Sequence, residues 1–253
     1  MKTQIQILVA FIVGLFASAC SSENPLTETP ATPIITGPLP NPEPQTPSQI
    51  KEIHYLALGD SYTIGQNVCE TCRFPEQLKR DLESFDKNIR ISLKIIAQTG
   101  WTTTNLISAI NNQNPTSNYD LVTLLIGVNN QYQYKPFSLY EKEFPELVWK
   151  AIALAKEDKS NLIVVSIPDY ANTPFGQLSE NPSKISLEID QYNAYAKKYC
   201  EDNMIQFINI TDITRQGLNN TNLVAQDGLH PSAYAYSLFV KRILSTATAV
   251  IHN

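Results

Sequence analysis

The chain has 253 residues, 43% of them hydrophobic and 17% charged, with a formal net charge of −5 and a pI near 5.3. That is an ordinary globular composition, enough for one domain with a sizeable core. No Lys/Arg block stands out in it, which excludes nucleic acid and an anionic membrane surface as electrostatically favoured partners.

At the start, Lys2 supplies a positive charge, Ile5 to Phe16 is mostly apolar, and Ala17-Ser18-Ala19 leads into Cys20. This reads as a secretory signal whose apolar region is too short to span a bilayer as a helix. A small-residue run ending directly in cysteine resembles a bacterial lipobox, although Ala17 stands where Leu is more usual. On that reading residues 1–19 are removed and Cys20 is the lipidated first residue. The protein is then membrane-anchored in the bacterial cell envelope, and Ser21 after Cys20 fits outer-membrane sorting. The alternative is a simple cleaved signal that happens to contain a cysteine. Residues 20–50 are the anchor and a linker. Half of the chain's 16 prolines fall between residues 21 and 50, spaced by Ser, Thr, Glu and Asn, so the segment cannot bury a core. At about 3.1 Å per residue it reaches up to roughly 90 Å. The folded domain is expected over residues 51–253.

Within it, Ile53–Leu58 is a short apolar run ending in glycine, which suits a buried parallel strand. Helical spacing over Phe74–Phe85 places Leu78 and Leu82 on one face. Ile91–Ala97 predicts a second strand, ending at Gln98-Thr99-Gly100, and Thr102–Ile110 a helix capped by threonines. A third strand is expected at Leu121–Ile126, before Gly127, and a long helix over Tyr140–Ala155. Leu162–Ile167 is the fourth strand, broken by Pro168; a helix over 184–201, a strand over Met204–Ile210 and a closing helix over Ser232–Val250 complete the pattern. Uninterrupted apolar strands alternating with helices predict an α/β fold, a parallel sheet covered on both faces. Ligands of such sheets sit beyond the carboxyl ends of the strands. Gly59-Asp60-Ser61, Thr99-Gly100-Trp101 and Gly127-Val128-Asn129-Asn130 would all lie on that edge.

After Cys20 the cysteines are Cys69, Cys72 and Cys200. Outside the cytoplasm one pair forms a disulfide and leaves one thiol over. Cys69-Glu70-Thr71-Cys72 is better read as a structural staple than as a redox motif or half a zinc site. There is no second C-x-x-C, and the histidines are only His54, His230 and His252. No metal and no organic cofactor is implied.

A serine hydroxyl needs a positioned base to act as a nucleophile. His54 starts the first strand, at the far end from Ser61, and His252 is the penultimate residue. His230 lies in Asp227-Gly228-Leu229-His230-Pro231, where an aspartate three residues ahead can bend back to accept the imidazole Nδ1–H. Oxyanion donors are available at Gly100, at the Asn129 amide and at the Ser61 backbone N–H. Taken singly, each of these residues could equally be a turn or cap residue.

Their order is more telling. Gly-Asp-Ser-Tyr near the start of the folded part, an isolated Gly100 after the second strand, Gly-x-Asn after the third and Asp-x-x-His-Pro near the end resemble the SGNH hydrolases, the GDSL esterase/lipase superfamily, over about 200 residues. The resemblance implies a three-layer α/β/α sandwich with a mostly parallel five-stranded sheet, flavodoxin-like in kind. It implies Ser61 as nucleophile, His230 as base oriented by Asp227, and Ser61, Gly100 and Asn129 as the oxyanion hole. The family's third block is usually Gly-x-Asn-Asp, whereas here Asn130 replaces the final Asp. Around Ser61 the second glycine of the G-x-S-x-G elbow of other α/β-hydrolases is absent.

The resemblance implies a carboxylic ester hydrolase, with a small-molecule or glycan ester as substrate. The segments Asn130–Phe137 and Asp169–Phe175 are polar and aromatic, fit for sugar rings or for packing loops down, and neither has the apolar character of a long-chain lipase lid. A short-acyl, acetyl-type esterase is therefore expected. The alternatives are a lysophospholipase or thioesterase type, and a glycan-binding lipoprotein that has lost catalysis.

Overall fold

A computed structural model describes residues 50–252. The signal segment, Cys20 and the proline-rich linker fall outside the described residues. The elements in chain order are β1 (Lys51–Gly59), α1 (Ser61–Ile64), α2 (Phe74–Phe85), β2 (Ile89–Ala97), α3 (Thr103–Gln113), β3 (Leu121–Leu125), α4 (Val128–Tyr132) and α5 (Phe137–Leu154). They continue with β4 (Leu162–Val165), α6 (Pro182–Asp202), β5 (Gln206–Ile208), α7 (Thr211–Thr214) and α8 (Ala233–His252).

The strands form one sheet in the order β2-β1-β3-β4-β5, with every pair parallel. Parallel strands need covering on both faces. Here α2 packs with α8 on one side, while α3, α5 and α6 pack in succession on the other. The expected three-layer fold is thus present, and its sheet is wholly parallel. Tyr55, Tyr140, Tyr236, Phe74, Phe144 and Phe239 are among its fully buried side chains.

Two differences from the expected elements have local causes. The last strand is only Gln206–Ile208, because Met204 sits at φ 57° in the left-handed region and cannot extend it. Helix α5 begins at Phe137 and runs through Pro145. Pro145 cannot donate to the Glu141 carbonyl, and the Tyr195 hydroxyl bonds that carbonyl instead, at 2.8 Å.

Strand order reverses at β1, which has β2 on one side and β3 on the other. Such a switch point opens a crevice beyond the strands' carboxyl ends. The register aligns those ends, since Gly59 pairs with Ala97 on β2 and with Leu125 on β3. The loops after β1, β2 and β3 therefore start level with one another and face the same crevice.

Candidate active site

The turn from β1 into α1 is tight. A Cβ on Gly59 would lie 2.1 Å from Thr63 Oγ1 and 2.4 Å from the Leu125 carbonyl, so only glycine fits there. Asp60 caps α1, its Oδ1 accepting from the Tyr62 N–H at 3.0 Å. Ser61, 4% exposed, is placed at the mouth of a cleft of about 170 Å³. Gly100, Asn129 and His230 line the same cleft, together with Tyr132 and Tyr170.

Gly100 has φ 82°, and a Cβ there would meet nothing within 4 Å. Its glycine is thus required by backbone conformation, and it leaves the cleft uncovered at that point. Its carbonyl is tied down by Gln133 Nε2 at 2.8 Å. The Asn129 amide plane is fixed by a bond from Nδ2 to the Trp101 carbonyl at 3.0 Å. A second contact, Nδ2 to Asp60 Oδ2 at 3.5 Å, is too long to hold a donor firmly. Asp60 itself is wholly buried, and burial pushes its carboxyl up to about 7.

Asp227 and His230 meet as expected: the Asp227 carboxylate receives His230 Nδ1 at 2.6 Å. Its other oxygen accepts the Leu229 and His230 backbone N–H groups, each at 3.0 Å. A hairpin fixes this loop, with Ala225 N–H on the His230 carbonyl at 2.7 Å and an antiparallel bridge between Val224 and Pro231. Burial pushes the Asp227 carboxyl up, but the bonds from His230 and Leu229 outweigh it and hold it below its ordinary value. The Tyr62 ring packs on the imidazole at 5.2 Å between centroids. His54 and His252 are elsewhere: the His54 backbone binds Asp120, and the His252 ring binds Asp86.

Several groups around the site carry no sequence signal. Asn67 Nδ2 donates to the same Asp227 oxygen that receives His230. Thr99 Oγ1 donates to Gln66 Oε1 at 2.6 Å, so adjacent residues of one loop bridge the Gly100 and His230 segments. That loop leads into the Cys69–Cys72 disulfide; Cys200 is free and buried in α6. Cys69 and Cys72 are thus the pair that is bridged, and Cys200 the thiol left over. Asn67 lies 160 residues from Asp227, a pairing no short motif could reveal.

Asn130, the departure from the family pattern, is fully buried. Its Oδ1 accepts the Thr103 N–H at 2.9 Å, and its Nδ2 donates to Thr103 Oγ1 at 2.6 Å. The Thr103 hydroxyl in turn donates to the Glu143 carboxylate, which also receives Thr104 Oγ1 at 2.8 Å. In this network the Thr103 hydroxyl, already donating to Glu143, takes its remaining bond from the Asn130 amide.

Helix α4 ends unusually. Lys135 N–H reaches the Asn130 carbonyl at 2.8 Å and Tyr134 N–H the Gln131 carbonyl at 2.9 Å, a pairing that ordinarily carries glycine at its left-handed residue. That residue is Tyr134, at φ 54° and 89% exposed. A side chain there costs about 1 kcal/mol relative to glycine, and so exposed a ring recovers little by burial.

The sequence profile of the GDSL-like lipase/acylhydrolase family matches residues 57–238. The chain belongs to that family. An uncharacterised Bacillus subtilis protein, YpmR, is 24% identical over 210 residues, covering 76% of this chain and 80% of its own. A lipolytic protein of the G-D-S-L family from Veillonella parvula superposes with a TM-score of 0.58 at 19% identity, over 76% of this chain and 97% of its own. An acetylxylan esterase from Geobacillus stearothermophilus does so at 0.54 and 16%, over 79% and 96%. At such identities these structures bear on the fold of this GDSL-family chain alone.

Proposed function

We propose that the protein is a serine esterase that hydrolyses short-acyl carboxylic esters, acetyl esters above all, on glycans. The observation that carries the reading is one cleft lined by Ser61, Gly100, Asn129 and a His230 whose Nδ1 is bonded to Asp227. Asp227, held as a carboxylate, fixes the imidazole with Nδ1 protonated and leaves Nε2 as the base. His230 takes the Ser61 proton as Oγ attacks the ester carbonyl. The oxyanion that develops is met by the Ser61 and Gly100 N–H groups and by Asn129 Nδ2. Collapse of the tetrahedral intermediate expels the alcohol, which takes its proton from His230. Water then gives a proton to the same histidine as its oxygen attacks the acyl carbon; the bond to Ser61 Oγ breaks, Oγ takes the proton back from His230, and the acid leaves.

A cleft of about 170 Å³ at the nucleophile falls below the roughly 300–1,000 Å³ of sites that enclose drug-sized ligands, which supports a short acyl group. Hydrolysis of p-nitrophenyl esters from acetate to palmitate tests the reading. Short chains should be fastest, and Ser61→Ala or His230→Ala should lower the rate by several powers of ten. Near-normal rates in both variants would refute the assignment, and a preference for palmitate would refute the short-acyl part. We propose further that Cys20 carries a lipid anchor in the cell envelope, as its lipobox-like context supports. Cys20→Ser should then release the protein from membrane fractions, and unchanged partition would refute it.

A further inference from the structure

Next to the Ser61 cleft lies a second hollow of about 410 Å³, to which Tyr132, Tyr134, Tyr170, Phe175, Ser179 and Glu180 contribute. Tyr132 and Tyr170 line both spaces, so the hollow continues outward from the nucleophile. Its inner rings are preorganised. Tyr132 sets its edge against Tyr170, with centroids 5.8 Å apart, and tilts against Phe175 at 6.3 Å. The Tyr170 hydroxyl donates to Gln131 Oε1 at 2.8 Å, and Gln131 is held in turn by Glu188. The outermost ring is Tyr134, kept almost fully exposed at a backbone position that favours glycine. An aromatic placed there against its local preference points to a use for the ring.

We propose that this hollow is the alcohol-side subsite of the esterase and that it takes a neutral pyranose ring of a glycan, with Tyr134 as its outer stacking face. The proposal rests on the esterase reading above. A pyranose presents C–H faces to aromatic rings and hydroxyls around its rim, and the hollow offers tyrosine rings with Ser179 and Glu180 beside them. The charged side chain in its lining is the acidic Glu180, and no Lys or Arg lines it, which disfavours a phosphate-bearing lipid alcohol.

The test compares kcat/KM for O-acetylated xylo-oligosaccharides with that for ethyl acetate, in wild type and in Tyr134→Gly, with Ser61→Ala as background. Tyr134→Gly should lower the ratio of the two at least fivefold, at an unchanged or higher Tm because glycine suits the backbone. An unchanged ratio would overturn the proposal. So would a wild type that does not prefer the oligosaccharide, or an equal loss on p-nitrophenyl palmitate. Calorimetric binding of the non-acetylated oligosaccharide to Ser61→Ala, with and without Tyr134→Gly, reads the subsite by itself. At least fivefold weaker binding supports it, and equal affinity overturns it. A wild-type rate that survives Ser61→Ala overturns the nucleophile instead.

Discussion

Asp60 offers the sharpest physical test of the site. It stands directly before Ser61 with its carboxyl wholly buried, and burial raises it from 3.8 to about 7. The displacement corresponds to about 4 kcal/mol against the ionised form. The native state therefore binds a proton on Asp60 over the window from about pH 4 to pH 7, where the unfolded chain has released it. Where the native state binds more protons, stability falls as pH rises, so Asp60 should weaken the fold progressively across that window and fully above it. Against a typical total of about 5–15 kcal/mol that is a large share.

Asp60→Asn removes the titration while keeping an oxygen for the Tyr62 N–H. Its amide would face the Asn129 amide, donor to donor, at about 1 kcal/mol of cost at any pH. Urea unfolding of wild type and variant at pH 5 and pH 8.5 gives four stabilities. At pH 5 wild type already bears about 1.5 kcal/mol of this penalty, so the variant should be level with or slightly above it. At pH 8.5 it should be more stable by about 2–4 kcal/mol. A difference between the two proteins that does not change with pH would refute the claim that Asp60 is held protonated by burial.

Further predictions concern the supports of the site. Asn130→Asp would set a second carboxylate against the Thr103 hydroxyl already donating to Glu143. It should cost about 1–3 kcal/mol, read as a lower Tm, and an unchanged Tm would contradict the donor role of Asn130. Asn67→Ala removes one hydrogen bond from the Asp227 oxygen that holds His230. We expect kcat to fall several-fold and Tm to fall slightly, since Asn67 holds a left-handed φ of 62° that alanine disfavours, and wild-type kcat would show that Asn67 does not position the pair. The Cys69–Cys72 bridge closes only a short loop, so in Cys69→Ser thermal or urea unfolding should show a loss of only about 2 kcal/mol. A loss well beyond that would mean the bridge holds more than its own turn.

The sheet was legible because parallel strands buried on both faces are apolar runs: β4 is so throughout, β1 from Tyr55 to Leu58, and β3 apart from Thr123. Helices α1 and α4, which begin at Ser61 and next to Asn129, were not. At four and five residues they are too short to show a period, and they exist because caps and turns hold them. Ser61, Gly100 and Asn129 could be placed together because register brings Gly59, Ala97 and Leu125 level, and Asp227 with His230 because they are three residues apart on one loop. What orients those residues was not legible. Asn67 reaches Asp227 across 160 positions, and Glu143 reaches Thr103 from α5. In the sequence Asn130 reads only as a departure from the family pattern. In the structure its amide donates to a threonine hydroxyl that itself donates to Glu143.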